Sequence, residues 1–180
     1  MTKRIGLYSA MGALCGLLAC THNIKQAFQT QYNLGQEHAD RGHYADAIAA
    51  YREAVRLNPA SAEAHNNLGA LQYEVGESDA AIQEYERALR LNPQLPEAHN
   101  NLGVALLAAG KTAQAVAHYR QAVQLRPEFT AAQYNLCLGL EILGQIDEAL
   151  SQCRNAAERE PSQPGLAEAV ERLKTKLASN

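Results

Sequence analysis

The sequence predicts an all-α fold made of stacked antiparallel helix pairs, and three periodic features carry that prediction. The stretch Ala62 to Leu95 is followed 34 positions later by a segment of the same pattern. Prolines recur in step at Pro59, Pro93, Pro127 and Pro161, and glycines at Gly42, Gly76, Gly110 and Gly144. Alanines do the same at Ala47, Ala81, Ala115 and Ala149, and again at Ala54, Ala88, Ala122 and Ala156. A fixed period of this length marks an array whose units bury their apolar faces only against one another.

Counting from Phe28, Ala62, Pro96 and Thr130 divides residues 28–161 into four repeats, 28–61, 62–95, 96–129 and 130–163, with no insertion. The prolines fall at position 32, where a residue without a backbone N–H and with fixed φ ends one helix and redirects the chain. The glycines fall at position 15, suited to the left-handed conformation that closes a helix. Each repeat therefore holds two helices, near positions 1 to 14 and 17 to 30. The alanines, at positions 20 and 27, let two helices approach closely. Leu34, Leu68, Leu102 and Leu136 at position 7, with Tyr51, Tyr85 and Tyr119 at position 24, fill the space beside them. Together these residues resemble the tetratricopeptide repeat, and the resemblance implies a superhelical α-α solenoid.

An array needs ends. Residues 164–180 read as a capping helix and tail, with Leu166, Val170, Leu173 and Leu177 on one side and Glu168, Glu171, Lys174 and Lys176 on the others. A fifth repeat would place Glu171 where glycine belongs.

At the other end, residues 1–19 read as an export signal: Lys3 and Arg4, then an uncharged, largely apolar run from Ile5 to Leu18. That run is short for a membrane-spanning helix, which needs about 20 residues. An uncleaved inner-membrane anchor is the alternative reading. Leu17-Leu18-Ala19-Cys20 resembles the lipobox of bacterial lipoproteins, which implies cleavage before Cys20 and its lipidation. Several acyl chains, at roughly 0.8 kcal/mol per buried methylene, hold a membrane durably where one does not. Thr21 stands where the family's inner-membrane retention signal has Asp, so the resemblance implies a cell-envelope protein anchored to the outer membrane and facing the periplasm. Residues 20–27 then form the lipidated cysteine and a short linker, reaching about 25 Å from Thr21 to Ala27 if extended.

Composition limits the function. The 180 residues carry 47% hydrophobic content and a net charge of −3. No segment supplies the basic patch that binding nucleic acid requires. No cofactor, metal or small-molecule substrate is expected, and no catalytic residue. His65 and His99 recur at position 4, but a whole repeat separates them and neither has a second ligand on its helix face, so packing explains them better than metal binding. Outside the repeats and the signal stand only the short linker and the cap, so an enzymatic role would be that of an accessory subunit, for example of a glycosyltransferase.

The fourth repeat departs from the pattern, with Cys137 where the others have glycine and Cys153 where they have tyrosine. In the family's packing these positions face each other, so the small residue has grown and the large one has shrunk together. An even pair in an exported chain invites a disulfide, closing a loop of about 15 residues at around 3 kcal/mol in the chain-entropy model. Two buried thiols acting as small hydrophobes are the other reading.

The resemblance also implies that the first helices of all repeats line a concave surface. There Asn33, Asn67, Asn101 and Asn135 form a row at position 6, similar to the asparagine ladder of the O-linked N-acetylglucosamine transferase repeats. A side-chain amide offers both donor and acceptor, so such a row can pair with the backbone of an extended peptide. Glu63, Asn66, Tyr73, Glu74, Glu97, Asn100, Leu107 and Tyr134 are expected to meet the partner beside it. No Lys or Arg occupies these positions, which argues against capture of a terminal carboxylate. The expected function is a non-catalytic scaffold that binds peptide segments of envelope-assembly proteins.

Overall fold

The computed structural model describes the backbone of residues 3–179 and the side chains of residues 21–179. Every regular element among them is an α-helix: α1 (Lys3–Asp40), α2 (Tyr44–Leu57), α3 (Ala62–Glu74), α4 (Ser78–Leu91), α5 (Pro96–Ala108), α6 (Thr112–Leu125), α7 (Thr130–Ile142), α8 (Ile146–Arg159) and α9 (Leu166–Ala178). Helices pair as α1/α2, α3/α4, α5/α6 and α7/α8, and each pair packs on the next, with α9 against α8. The Cys20 side chain and the proposed signal segment lie outside the described side chains.

The turn inside each repeat follows from its glycine. Gly42, Gly76, Gly110 and Gly144 take φ of 73°, 84°, 75° and 74°. In the first repeat the Gly42 N–H meets the Ala39 carbonyl and the His43 N–H meets the His38 carbonyl, both at 2.9 Å. This is the Schellman arrangement, which satisfies carbonyls left open at a helix end. The other three repeats copy it. Between repeats, the second helix stops two residues before the proline, and Ser61 caps α3 by accepting from the Ala64 N–H at 3.2 Å.

The periodic alanines at positions 20 and 27 are all fully buried, as are Tyr51, Tyr85 and Tyr119 to within a few per cent. These rings lie flat against the first helix at position 8. A Cβ added at Gly35, Gly69 or Gly103 would sit 2.9, 2.9 or 2.5 Å from a carbon of Tyr51, Tyr85 or Tyr119. Glycine there is thus required by the ring opposite. In the fourth repeat the ring is gone, and Cys137 and Cys153 are joined as a disulfide with Cα atoms 5.5 Å apart.

Three sequence expectations change. First, residues 21–27 are not an extended linker: α1 runs through them, because Thr21 to Ala27 contains no glycine or proline and extending a formed helix adds one bond per residue. Second, Leu34 does not fill a gap. It is 37% exposed while Leu68, Leu102 and Leu136 are at most 3%, since among the described residues no helix pair packs on that side of α1. The outer face of that repeat is otherwise polar, with Thr30, Glu37 and His38 where the later repeats carry residues such as Ala64, Leu71 or Leu106. Third, the buried side of α9 uses Leu166, Ala169, Val170 and Leu173, and Leu177 is 41% exposed. Glu171, at the position that would face a second helix, stays exposed and pairs with Lys174.

Gly103→Ala is expected to destabilise the protein by about 1–3 kcal/mol, the usual range for overpacking, read as a lower urea midpoint. In a Tyr119→Cys background the same substitution should cost clearly less, because the clashing ring is absent.

Candidate peptide-binding groove

The first helices of successive repeats come close to one another, α3 to α5 and α5 to α7, while successive second helices stay further apart. The first helices therefore sit on the inner side of the curve. Positions 6, 9 and 12 face that side: Asn67, Ala70 and Tyr73 on α3, Asn101, Val104 and Leu107 on α5, and Asn135, Leu138 and Glu141 on α7. All nine are partly buried. Tyr134 and Glu97 are partly buried too, while Asn33, Glu63 and Glu74 are exposed. A concave hollow of about 230 Å³ between the first two repeats is lined by Gln36, Ala39, Asp40, Asn67 and Ala70 among others. A hollow of about 560 Å³ lies on the opposite side between α4 and α6, where curvature spreads the helices.

The asparagines do not form a simple row aimed at a ligand. Asn66 and Asn100 are only 7% and 8% exposed, because they serve as acceptors for the next repeat. The Asn101 amide donates to Asn66 Oδ1 at 3.1 Å, and Asn135 donates to Asn100 Oδ1 at 2.9 Å. Within each doublet Asn66 donates to Asn67 at 3.3 Å and Asn100 to Asn101 at 3.5 Å. Asn67 closes the line by donating to the Tyr32 hydroxyl at 2.9 Å and the Tyr51 hydroxyl at 3.3 Å. The rule is that position 6 of one repeat donates to position 5 of the repeat before it. Asn66 and Asn100 are thus buried links of a polar spine. Asn33, at position 6 of the first described repeat, accepts from Gln29 at 2.8 Å.

An amide has two N–H donors and two acceptor lone pairs. In this spine Asn101 donates once and accepts once, which leaves one N–H and one lone pair facing the groove. Asn135 donates once, and Asn67 keeps an acceptor site. The capacity to bind a peptide backbone is therefore halved but ordered, since each amide's orientation is set by its neighbours.

Behind the spine, burial pushes the Tyr85 and Tyr119 hydroxyls above the usual phenol range, and Tyr73 nearby adds to it. Tyr51 is raised by burial as well, partly offset by its bond from Asn67. These phenols stay neutral at any physiological pH.

The histidines at position 4 pack and also bond. His65 Nε2 meets the Pro59 carbonyl at 3.1 Å and its Nδ1 meets Glu84. Both partners are hydrogen-bond acceptors, one from the turn between repeats and one from α4. His99 Nε2 meets the Pro93 carbonyl at 3.1 Å, so its Nδ1 accepts from His118 Nδ1–H, also at 3.1 Å. Gln133 repeats the motif by donating to the Pro127 carbonyl at 2.7 Å. A position that sequence alone describes as packing is thus a clasp on the turn between repeats. Burial pulls the His118 imidazole below its usual range, and His99 adds to that against an opposing effect of Glu86.

The groove is less acidic than the sequence implies. Glu97 is paired with Arg126, and Glu141 accepts from Arg172 at 2.8 Å and Lys176 at 2.7 Å, both on α9. No cation occupies the groove positions themselves, but the cap and the turn before α7 supply three. Glu63, Glu74 and Asp40 keep the acidic character in the N-terminal half. Tyr134 at the other end is covered by the cap, with its hydroxyl 2.6 Å from where a Cβ on Gly165 would lie.

Hydrogen bonding to Arg172, opposed in part by burial and assisted by Lys176, lowers the Glu141 carboxyl from 4.5 to about 2. A carboxylate depressed in the folded state contributes stability that is complete above its unfolded pKa and is lost as pH falls through the folded one. The cap clamp is therefore expected to be intact above about pH 4.5 and to fail toward pH 2. Glu141→Gln should lower stability at pH 7 and flatten the pH dependence in that window, measured as urea midpoints across pH 7 to 2.

A model of the tetratricopeptide repeat matches residues 32–96 and 71–128, and a second matches residues 106–177. No curated protein matches the chain significantly. Among solved structures, MamA is 29% identical with a TM-score of 0.69 over 85% of this chain and 92% of its own. PilF of Pseudomonas aeruginosa gives 24% identity and a TM-score of 0.78, covering 87% of this chain and 72% of its own. YrrB, a tetratricopeptide protein with an unusual peptide-binding site, gives 22% and 0.71, over 82% and 76%. With the period, the glycine turns and the matched models in agreement over most of its length, the chain belongs to the tetratricopeptide-repeat family.

Proposed function

We propose that this protein is a non-catalytic scaffold whose concave groove holds peptide segments of envelope-assembly partners while Cys20, lipid-modified, keeps it at the outer membrane. The observation that carries the groove reading is the juxtaposition of two surfaces. Asn67, Asn101 and Asn135 leave ordered donors and acceptors at regular intervals, and Ala70, Tyr73, Val104, Leu107 and Leu138 form a partly buried apolar strip beside them. Backbone pairing along the spine gives tolerance of sequence, and apolar side chains on the strip give selectivity. Acidic groups concentrated at Asp40, Glu63 and Glu74 favour basic residues on the partner toward that end. The peptide-binding site of YrrB supports a peptide role for this fold.

The anchor reading rests on the lipobox resemblance at Leu17 to Cys20. Among the described residues no helix is long and apolar enough to cross a membrane. Residues 21–27, being helical, span roughly 10 Å at 1.5 Å per residue, so the repeats would stand close to the bilayer.

Leu107→Asp and Tyr73→Ala are expected to weaken capture of partners crosslinked in native membranes by about tenfold or more, the scale of a hot-spot truncation. Unchanged partner recovery from folded variants would exclude the concave groove. For the anchor, mass spectrometry of the mature protein should find an acylated Cys20 as its first residue, and an unmodified Met1 would exclude it.

A further inference from the structure

We propose that the turn of the first repeat is a transition-metal site, with His38, His43 and Asp46 as its protein ligands. One ring nitrogen from each histidine and a carboxylate oxygen of Asp46 lie within 4.8 Å of one another. The two rings stand side by side, their centroids 6.0 Å apart and tilted by 39°. Zinc bonds to His and Asp are about 2.0–2.2 Å, so tetrahedral ligands stand roughly 3.4 Å apart. His43 and Asp46 are exposed and can close the difference by side-chain rotation.

His38 is the fixed member. It is partly buried, and its Nδ1 is buried with no hydrogen-bond partner, so the protein does not itself satisfy the ring. The turn that brings His43 to it is rigid, held by Gly42 at φ 73° and by the bond from the His43 N–H to the His38 carbonyl. The second repeat shows that this geometry joins positions 11 and 16 whatever they carry: there Gln72 donates to Glu77 at 3.4 Å. The third and fourth repeats have Leu106 with Lys111 and Leu140 with Gln145, which cannot ligate a metal in this way. His43 is the N-cap residue of α2 yet makes no side-chain cap bond, so the ring is not committed to starting the helix. Arg41, in the same turn, is paired with Glu37 at 2.8 Å.

Two imidazoles and one carboxylate suit Zn²⁺, Ni²⁺ or Cu²⁺ rather than Mg²⁺ or Ca²⁺. Three protein ligands leave a position for water or for a side chain from a partner. A bound ion would tie the end of α1 to the start of α2 in the first repeat, and would stabilise the fold by mass action. Unlike the periodic His65 and His99, His38 and His43 occur in one repeat only, so no period marks them.

The test is titration of the full chain with Co²⁺ and then Zn²⁺. One equivalent of Co²⁺ should give the visible absorption of a tetrahedral centre, displaced by Zn²⁺, and Zn²⁺ should raise the melting temperature. His43→Asn and Asp46→Asn should each abolish the absorption and the shift; both positions are exposed and Asn is a good N-cap, so the fold is kept. His118→Gln, which removes the rival His99–His118 pair, should leave both signals intact. The proposal is overturned by a wild-type chain that shows no tetrahedral band, by His43→Asn retaining it, or by His118→Gln losing it.

Discussion

Everything in this array depends on how closely the two helices of a repeat can approach. That approach is set by an aromatic ring laid against bare backbone: Tyr51 on Gly35, Tyr85 on Gly69 and Tyr119 on Gly103. A single methyl at any of these glycines would stand inside van der Waals contact, and dense interiors have no slack to absorb it. The same contact brings the Tyr51 hydroxyl within hydrogen-bond reach of Asn67, so the packing of the scaffold and the polar lining of the groove are one arrangement. The fourth repeat solves the approach differently. Removal of the ring makes room for a Cβ at Cys137, and a covalent bond replaces the lost ring contact.

Between repeats the tie is polar. Asn135, Asn100, Asn101, Asn66, Asn67 and Tyr32 form one continuous chain of donors and acceptors along the inner curve. Buried amides are costly unless paired, and here the bonds from Asn67, Asn101 and Asn135 to the repeat before form only if the repeats are stacked in register. The spine thus enforces register as well as lining the groove. It has defined ends. Tyr32 and Tyr134 hold position 5 in the first and last repeats, and α9 brings Ala169 where a donor would otherwise continue the chain. The cap then adds a charge clamp, Arg172 and Lys176 on Glu141, which ties α9 to the groove side of α7.

The two rims differ in charge for the same reason. Where α9 and the turn at Arg126 pack, Glu141 and Glu97 are compensated; on the first two repeats Asp40, Glu63 and Glu74 stay exposed. A segment lying along the groove therefore meets an acidic end and a neutral, apolar end, which gives the surface a direction.

By itself the sequence determined the repeat length, the helix pairs, the turns and the family, because each rests on local chemistry that recurs: a glycine at φ near 75°, a proline after each second helix, alanines with no exposed surface. It also pointed to the facing of Cys137 and Cys153, since the change at one matched the change at the other. What only the tertiary structure decided were relations between neighbours that no single period displays. Asn66 and Asn100 became links of a spine, His65 and His99 became clasps on proline carbonyls, and Glu97 and Glu141 lost their free charge to Arg126, Arg172 and Lys176. Leu34 stayed exposed despite its equivalence to three buried leucines, and the run from Thr21 to Ala27 became helix. The physical reason is the same in each case: local rules set what a residue can offer, and stacking decides which neighbour accepts it.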